Sequence, residues 1–331
     1  MAKFPKFIAA FSLVVAALTW HPPTFAQTTP TKKITFLTNY VFNGRHAPFF
    51  VGLEKGFYKE AGFDIEISPA TGSGFVITAV DSGKADYGMA DFSSVVRGVS
   101  RGAKIGTFMI YTDISTNGLA ALSPFPTPES VAGKKIAAGQ TDSVRVILPI
   151  IYSGKNLDPA TLNWQAADPG VYISLLLSGQ VDLMTATSDG DVPALTKVAA
   201  QQGKSVHFSS FADWGYDIFG FVLIGTKANL EKNPAEAQRF IEATKKAVQY
   251  AIANPDETAQ IMVKHNSTMN LDTVKTQWNE TIKSMNTPYV AKNGYGAATD
   301  DRIVSSIELV RKALKIDETI PQGSIYVNVG K

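Results

Sequence analysis

The sequence predicts an α/β protein in two successive units, with parallel strands covered by helices. Three observations predict it. Strand-like and helix-like segments alternate over residues 33–111, and the alternation starts afresh near Gly118. The 331 residues, 45% of them hydrophobic, can build a sizeable core, and ~150 residues per domain suggests two domains. A β-α-β-α-β order calls for parallel strands, because each crossover helix packs back onto its sheet.

Residues 33–40 (KITFLTNY) alternate apolar and polar positions, as a half-buried strand does. Residues 48–60 carry helical spacing in Phe49, Phe50, Leu53 and Phe57, and Gly62 is placed to cap that helix. Residues 63–67 follow as a strand, 74–82 as a helix, 86–89 as a strand, 93–100 as a helix and 105–111 as a strand. In the second unit residues 134–138, 162–166 and 181–186 read as strands, and 142–152 and 170–177 as helices. Helices dominate the last third. Asn233-Pro234 supplies a polar cap and then a proline whose missing N–H costs nothing in a first turn. Phe240, Thr244, Ala247, Val248 and Ala251 stripe that helix, Asn254-Pro255 repeats the start signal, and Ile303, Ile307, Val310 and Leu314 stripe the final long helix.

Composition excludes several function classes. Lys plus Arg total 31 and Asp plus Glu 29, too balanced for a protein that grips phosphates through a basic surface. The absence of cysteine excludes disulfides, iron–sulfur clusters, cysteine-ligated zinc and thiol catalysis. Lys3 and Lys6, an apolar run over residues 7–20, and small residues before Gln27 have the order of a secretory signal peptide. Residues 1–26 are therefore expected to be cleaved after Ala26, leaving an exported, periplasmic protein. Gly98-Val99-Ser100-Arg101-Gly102 matches G-x-S-x-G, but at a helix end, where no nucleophile elbow forms. His46, His207 and His265 lack metal-ligand spacing. No catalytic residue, metal or cofactor is predicted.

The segment KITFLTNYVFNGRHAPFFVGLEKGFYKEAGFDIEI carries Asn39 and Tyr40, His46 seven residues on, then Lys55-Gly56-Phe57-Tyr58-Lys59-Glu60 and Gly62-Phe63-Asp64. Further blocks are Ser82-Gly83-Lys84-Ala85-Asp86-Tyr87-Gly88, Gly133-Lys134-Lys135-Ile136, Ser178-Gly179-Gln180-Val181-Asp182 and Lys232-Asn233-Pro234. In this order they resemble the fungal thiamine-pyrimidine synthase and bacterial pyrimidine-precursor binding protein family, with similar blocks in binding proteins for sulfonates, nitrate and riboflavin. The resemblance implies a type II periplasmic binding protein of two hinge-linked α/β lobes. Residues 27–116 and 222–331 would form one lobe, and 117–221 the other. It implies a monomeric receptor that delivers its ligand to an ABC permease and its ATPase. In register with the synthase pattern, the lysine that holds pyridoxal phosphate and the substrate histidine fall on Ala90 and Ser94, and the cysteine-rich stretch near residues 216–220 lacks cysteine. The expectation is therefore a receptor, not an enzyme.

Ligands of open α/β sheets lie beyond the carboxyl ends of strands. That rule nominates Asn39, Tyr40, Asn43, Arg45 and His46 after the first strand and Asp91, Ser93 and Ser94 after the third. On the opposing lobe it nominates Thr141, Ser143 and Asp189, with Trp214 and Tyr216 just before the chain returns. Asp142 is expected to cap its helix. Aromatic rings among amides, hydroxyls and a carboxylate favour a planar heterocycle, a pyrimidine thiamine precursor or a flavin-like molecule. The alternative is an aromatic carboxylate or sulfonate anchored by Arg45, Arg97 or Arg145.

Overall fold

The computed structural model describes residues 1–3 and 31–330. The apolar run and cleavage point of the expected signal peptide lie outside the described residues. Among the described residues ten strands are found: β1 (Lys32–Leu37), β2 (Phe63–Ser68), β3 (Tyr87–Asp91), β4 (Ile105–Ile110), β5 (Asn117–Ala121), β6 (Lys135–Ala137), β7 (Asn163–Gln165), β8 (Leu183–Thr187), β9 (His207–Ser210) and β10 (Phe221–Thr226). They form two five-stranded sheets, ordered β2-β1-β3-β10-β4 and β7-β6-β8-β5-β9.

Each sheet is mixed in the same way. β1, β2 and β3 pair in parallel, and so do β6, β7 and β8. β10 pairs antiparallel with both β3 and β4, and β5 with both β8 and β9. The antiparallel strand is in both cases the one that has just crossed over: β5 carries the chain into the second sheet and β10 brings it back. Helices flank both sheets, giving the two-lobed α/β fold.

Burial explains why β10 is a central strand. Its residues from Phe221 to Gly225 are all buried, as expected where both faces of a sheet are covered. Under the first sheet, Phe240 of helix Pro234–Ala253 sits 4.9–6.3 Å, ring centre to ring centre, from Phe36, Tyr58, Phe63, Tyr87 and Phe108. The expected stripe is therefore this helix's core face. The helix expected over residues 48–60 is two helices, Ala47–Glu54 and Phe57–Glu60, because Gly56 between them has φ 74. That left-handed conformation suits glycine and ends an α-helix. Ser100 ends helix Phe92–Ser100 and donates its hydroxyl to the Arg97 carbonyl, so the G-x-S-x-G match is a helix terminus.

Candidate functional site

The carboxyl ends of β1, β3, β6 and β8 carry the loops that meet between the two sheets. A cleft cavity there is lined by Asn39, Tyr40 and Arg45 from the first lobe and Asn117 from the crossover strand. Asp142, Ser143, Thr185, Thr187 and Asp191 line it from the second lobe. Its volume is only about 20 Å³, room for a water molecule and not for an aromatic ring. A ring-sized ligand therefore needs the lobes to part. Asp142 accepts from the Val144 N–H (2.9 Å), Thr185 Oγ1 (2.8 Å) and the Tyr172 hydroxyl (3.3 Å). The N-cap of the helix is Ser143, not Asp142 as expected; Asp142 precedes it and takes the first helical N–H while lining the cleft. Asp191 accepts from the Thr187 N–H at 2.9 Å and its Oγ1 at 3.2 Å. Burial raises the pKa of both, Asp191 to about 6, so each carboxyl takes a proton more readily than usual. Tyr40 stands 6.4 Å from Tyr172, ring centre to ring centre, and its phenol is held neutral chiefly by burial.

Arg45 and Asp189 do not face the cleft as free ligand groups; they hold each other. Arg45 Nε donates to Asp189 Oδ2 at 2.8 Å and Nη2 to Oδ1, while Nη2 also reaches Thr187 Oγ1 at 2.8 Å. Side-chain exposure is 1% for Arg45 and 0% for Asp189. The guanidinium also lies 4.3 Å from the Phe221 ring centre. Thr281 of helix Leu271–Met285 donates to Asp189 Oδ2 at 3.0 Å. Gln277 of the same helix accepts from the Gly44 N–H at 2.9 Å and donates to the Gly190 carbonyl at 2.6 Å. The loop after β1 is thus latched to the loop after β8. Burial pushes the Asp189 carboxyl up, but the charge and hydrogen bonds of Arg45 outweigh it and hold the pKa below the ordinary value.

Several nominated residues brace the loops instead of lining the cleft. His46 is fully buried, accepts from the Asn43 N–H at Nδ1 (3.2 Å) and lies 3.0 Å from Asn39 Oδ1 at Nε2. Both ring nitrogens are used, which fixes the proton on Nε2. Burial, aided by Arg45, drives its pKa well below the usual value, so the ring is neutral. Asn43 caps the turn Gly44–His46 by accepting from the Arg45 N–H at 3.0 Å. Asp91 and Ser93 are equally buried. Asp91 Oδ1 accepts from Ser93 Oγ at 2.6 Å and the Ser94 N–H at 3.1 Å, and Oδ2 accepts from Asn117 Nδ2 at 3.3 Å. Asp91 is the N-cap of helix Phe92–Ser100, tied to β5.

Trp214 and Tyr216 are set apart from the cleft. With Ile150, Ile151, Lys155 and Leu309 they line a separate cavity of about 470 Å³. Trp214 Nε1 donates to the Pro126 carbonyl at 3.3 Å, and its ring packs on Phe211. Tyr216 is buried near Asp91, and burial first, then that carboxylate, raises its phenol's pKa. Thr141 lies on the flank of the cleft with Ser94. Its carbonyl accepts from the Gly74 N–H at 3.0 Å, and its hydroxyl lies 3.3 Å from Thr71 Oγ1, both across the lobe boundary. Sequence reasoning missed Asn117, Thr185 and Thr187, together with Gln277 and Thr281 of the latch.

Gly72 marks how tightly the lobes meet. A Cβ there would lie 2.3 Å from the Thr141 carbonyl oxygen, and its φ of 150 already disfavours a side chain. Gly72→Ala is expected to hold the lobes apart at about 1–3 kcal/mol of closure free energy, the usual cost of overpacking. Small-angle scattering that finds this variant as compact as the parent would refute the contact's role.

Among the described residues no group of three His, Cys, Asp or Glu is placed to hold a metal, and no helix is long and apolar enough to cross a membrane. A family model described as NMT1/THI5 like matches residues 43–258. The 4-amino-5-hydroxymethyl-2-methylpyrimidine phosphate synthase THI13 of Saccharomyces cerevisiae is 28% identical over 236 residues, covering 68% of each chain. The alkanesulfonate-binding protein SsuA of Xanthomonas axonopodis superposes with a TM-score of 0.68 at 11% identity, covering 90% of this chain and 99% of that one. A ligand-binding component of an ABC-type import system from Staphylococcus aureus gives 0.63 at 12% identity, covering 90% and 97%. The solved structures establish the periplasmic-binding-protein fold. The expectation that the chain is not an enzyme is corrected by the synthase relative, whose name is that of an enzyme.

Proposed function

We propose, since this chain belongs to the NMT1/THI5-like family and has the periplasmic-binding-protein fold, that it is a receptor whose lobes close on a small planar heteroaromatic ligand. A pyrimidine thiamine precursor fits this reading best, with a flavin-like ring as the larger variant. The lobes would be residues 27–116 with 222–331, and 117–221, hinged where β5 and β10 leave and rejoin the first sheet. The exported protein, working as a monomer in the periplasm, would present its closed form to an ABC permease and its ATPase.

One observation carries the reading: the composition of the cleft. Tyr40 offers an aromatic face, Asn39, Asn117, Ser143 and Thr187 offer amides and hydroxyls, and Asp142 and Asp191 offer acceptors for ring amino groups. The lining cation, Arg45, is already committed to Asp189, which disfavours an anion at this point. A thermal-shift panel of pyrimidines, flavins, aromatic carboxylates and sulfonates tests the class, since a ligand at 100 times its dissociation constant adds about 2.7 kcal/mol. Pyrimidines are expected to stabilise most. Tyr40→Ala should weaken that binding roughly tenfold, from the loss of a ring contact worth about 0.5–1.5 kcal/mol beyond its buried area. Stabilisation by aliphatic sulfonates alone would reject the reading.

A further inference from the structure

On the flank of the cleft, helix Phe92–Ser100 of the first lobe faces helix Val144–Gly154 of the second, and two cavities lie between them. The smaller, about 210 Å³, is lined by Ser94, Arg97, Arg101, Gln140 and Thr141 among others. The larger, about 400 Å³, is lined by Arg97, Arg101 and Arg145 with Pro149, Leu314 and Ile316. Arg97 and Arg101 line both.

The charges in this place are unbalanced, three arginines against the one carboxylate of Asp142, whose charge acts on Arg145. Arg97 lies in the last turn of helix Phe92–Ser100 and Arg101 is its C-cap, so two like charges sit close together at one helix end. The helix C-terminus beside them offsets part of that. It does nothing for Arg145, which comes from the other lobe. Arg145 donates from Nε to the Gly139 carbonyl at 2.8 Å and from Nη2 to the Ala138 carbonyl at 3.0 Å. Its guanidinium carbon lies 5.0 Å from the Trp164 ring centre. The group is fixed in place with Nη1 uncommitted. Among the described residues, none of the three arginines is in an ion pair. Asp142 is the one carboxylate lining either cavity among the described residues; its Oδ2 accepts from Thr185 and Tyr172 and its Oδ1 from the Val144 N–H alone.

We propose that this flank is a binding site for a phosphate group carried on a small organic body. Guanidiniums grip phosphate oxygens in pairs of parallel hydrogen bonds, and the larger cavity is lined by all three arginines. Pro149, Leu314 and Ile316 give the organic body an apolar wall. Arg97 and Arg101 belong to one lobe and Arg145 to the other, so the bound dianion ties the lobes together. The site therefore favours the closed form, an inference that rests on the two-lobed receptor reading.

Calorimetric titration of the full chain with inorganic phosphate and with phenyl phosphate tests it. Phenyl phosphate is expected to bind more tightly than inorganic phosphate. Arg97→Gln and Arg145→Gln should each weaken it about tenfold or more, the loss of a hydrogen bond to a charged group. Arg97→Lys, which keeps the charge and loses the paired geometry, should fall between, and unchanged melting of the free variants would show that they fold. No heat from either probe, or affinities unchanged in both Gln variants, overturns the proposal. Inorganic phosphate binding as tightly as phenyl phosphate overturns the organic body. An unphosphorylated pyrimidine is titrated separately, so its failure would reject the heterocycle reading and leave this site standing.

Discussion

Asp189→Ala is expected to open the molecule. The variant leaves the Arg45 guanidinium, 1% exposed in the parent, buried without its carboxylate. Removing one partner of a buried ion pair costs about 3–5 kcal/mol, because the remaining charge has lost both water and counterion. Here the chain can relieve that cost by parting the lobes and hydrating Arg45. Small-angle scattering should then show a larger radius of gyration for the ligand-free variant, and its closed form should be disfavoured by about that free energy. Removing both charges, as Arg45→Met with Asp189→Leu, should recover much of the loss, since an apolar pair of similar size replaces a buried ion pair at little net cost. A scattering curve identical to the parent's in Asp189→Ala would refute the latch. The latch is also expected to be indifferent to pH near neutrality. The folded-state pKa of Asp189 is depressed, so its contribution is fully present above the ordinary carboxylate range and is lost only as pH falls through the lowered value.

What the sequence made legible follows from the range of the interactions involved. β1 and β2 were readable because their alternation reports a local period, and they pair in register from Lys32 opposite Phe63 to Leu37 opposite Ser68. β5 and β10 were not, as elements read from the residues. Asn117–Ala121 and Phe221–Thr226 are short, almost wholly buried runs whose strand character depends on partners far along the chain. The same division runs through the site. Asn39, Tyr40 and Ser143 were found from the rule that strand ends face the cleft. Asn117 and Thr187 were missed because their place is set by register: they sit directly opposite each other across β5 and β8. Arg45 and Asp189 were each nominated, but their mutual pairing spans 144 residues of sequence and converts two candidate ligand groups into one lock. Trp214 and Tyr216 lie near the crossover in sequence, and sequence proximity says nothing about which cavity a ring faces.

Asp91→Asn is expected to flatten the response of stability to mild acid. Asp91 is fully buried at the N-terminus of helix Phe92–Ser100, and burial, opposed by its hydrogen bonds from Ser93 and Ser94, pushes its pKa from 3.8 up to about 6. Between those values the folded chain holds a proton that the unfolded chain has lost. Stability therefore falls as pH rises through that window and levels off above about 6, where both states are ionised. A rise of this size corresponds to about 3 kcal/mol, at 1.36 kcal/mol per pKa unit. Asparagine at this position keeps an oxygen for the Ser94 N–H and carries no charge at any pH, so its contribution to the slope vanishes. Urea denaturation at pH 4, 5, 6 and 7 measures both chains. The parent should lose more stability than the variant between the first and third of these, with parallel curves from there to neutrality. Equal slopes in the two chains would mean that Asp91 stays ionised throughout, held so by Asn117 and the two serines.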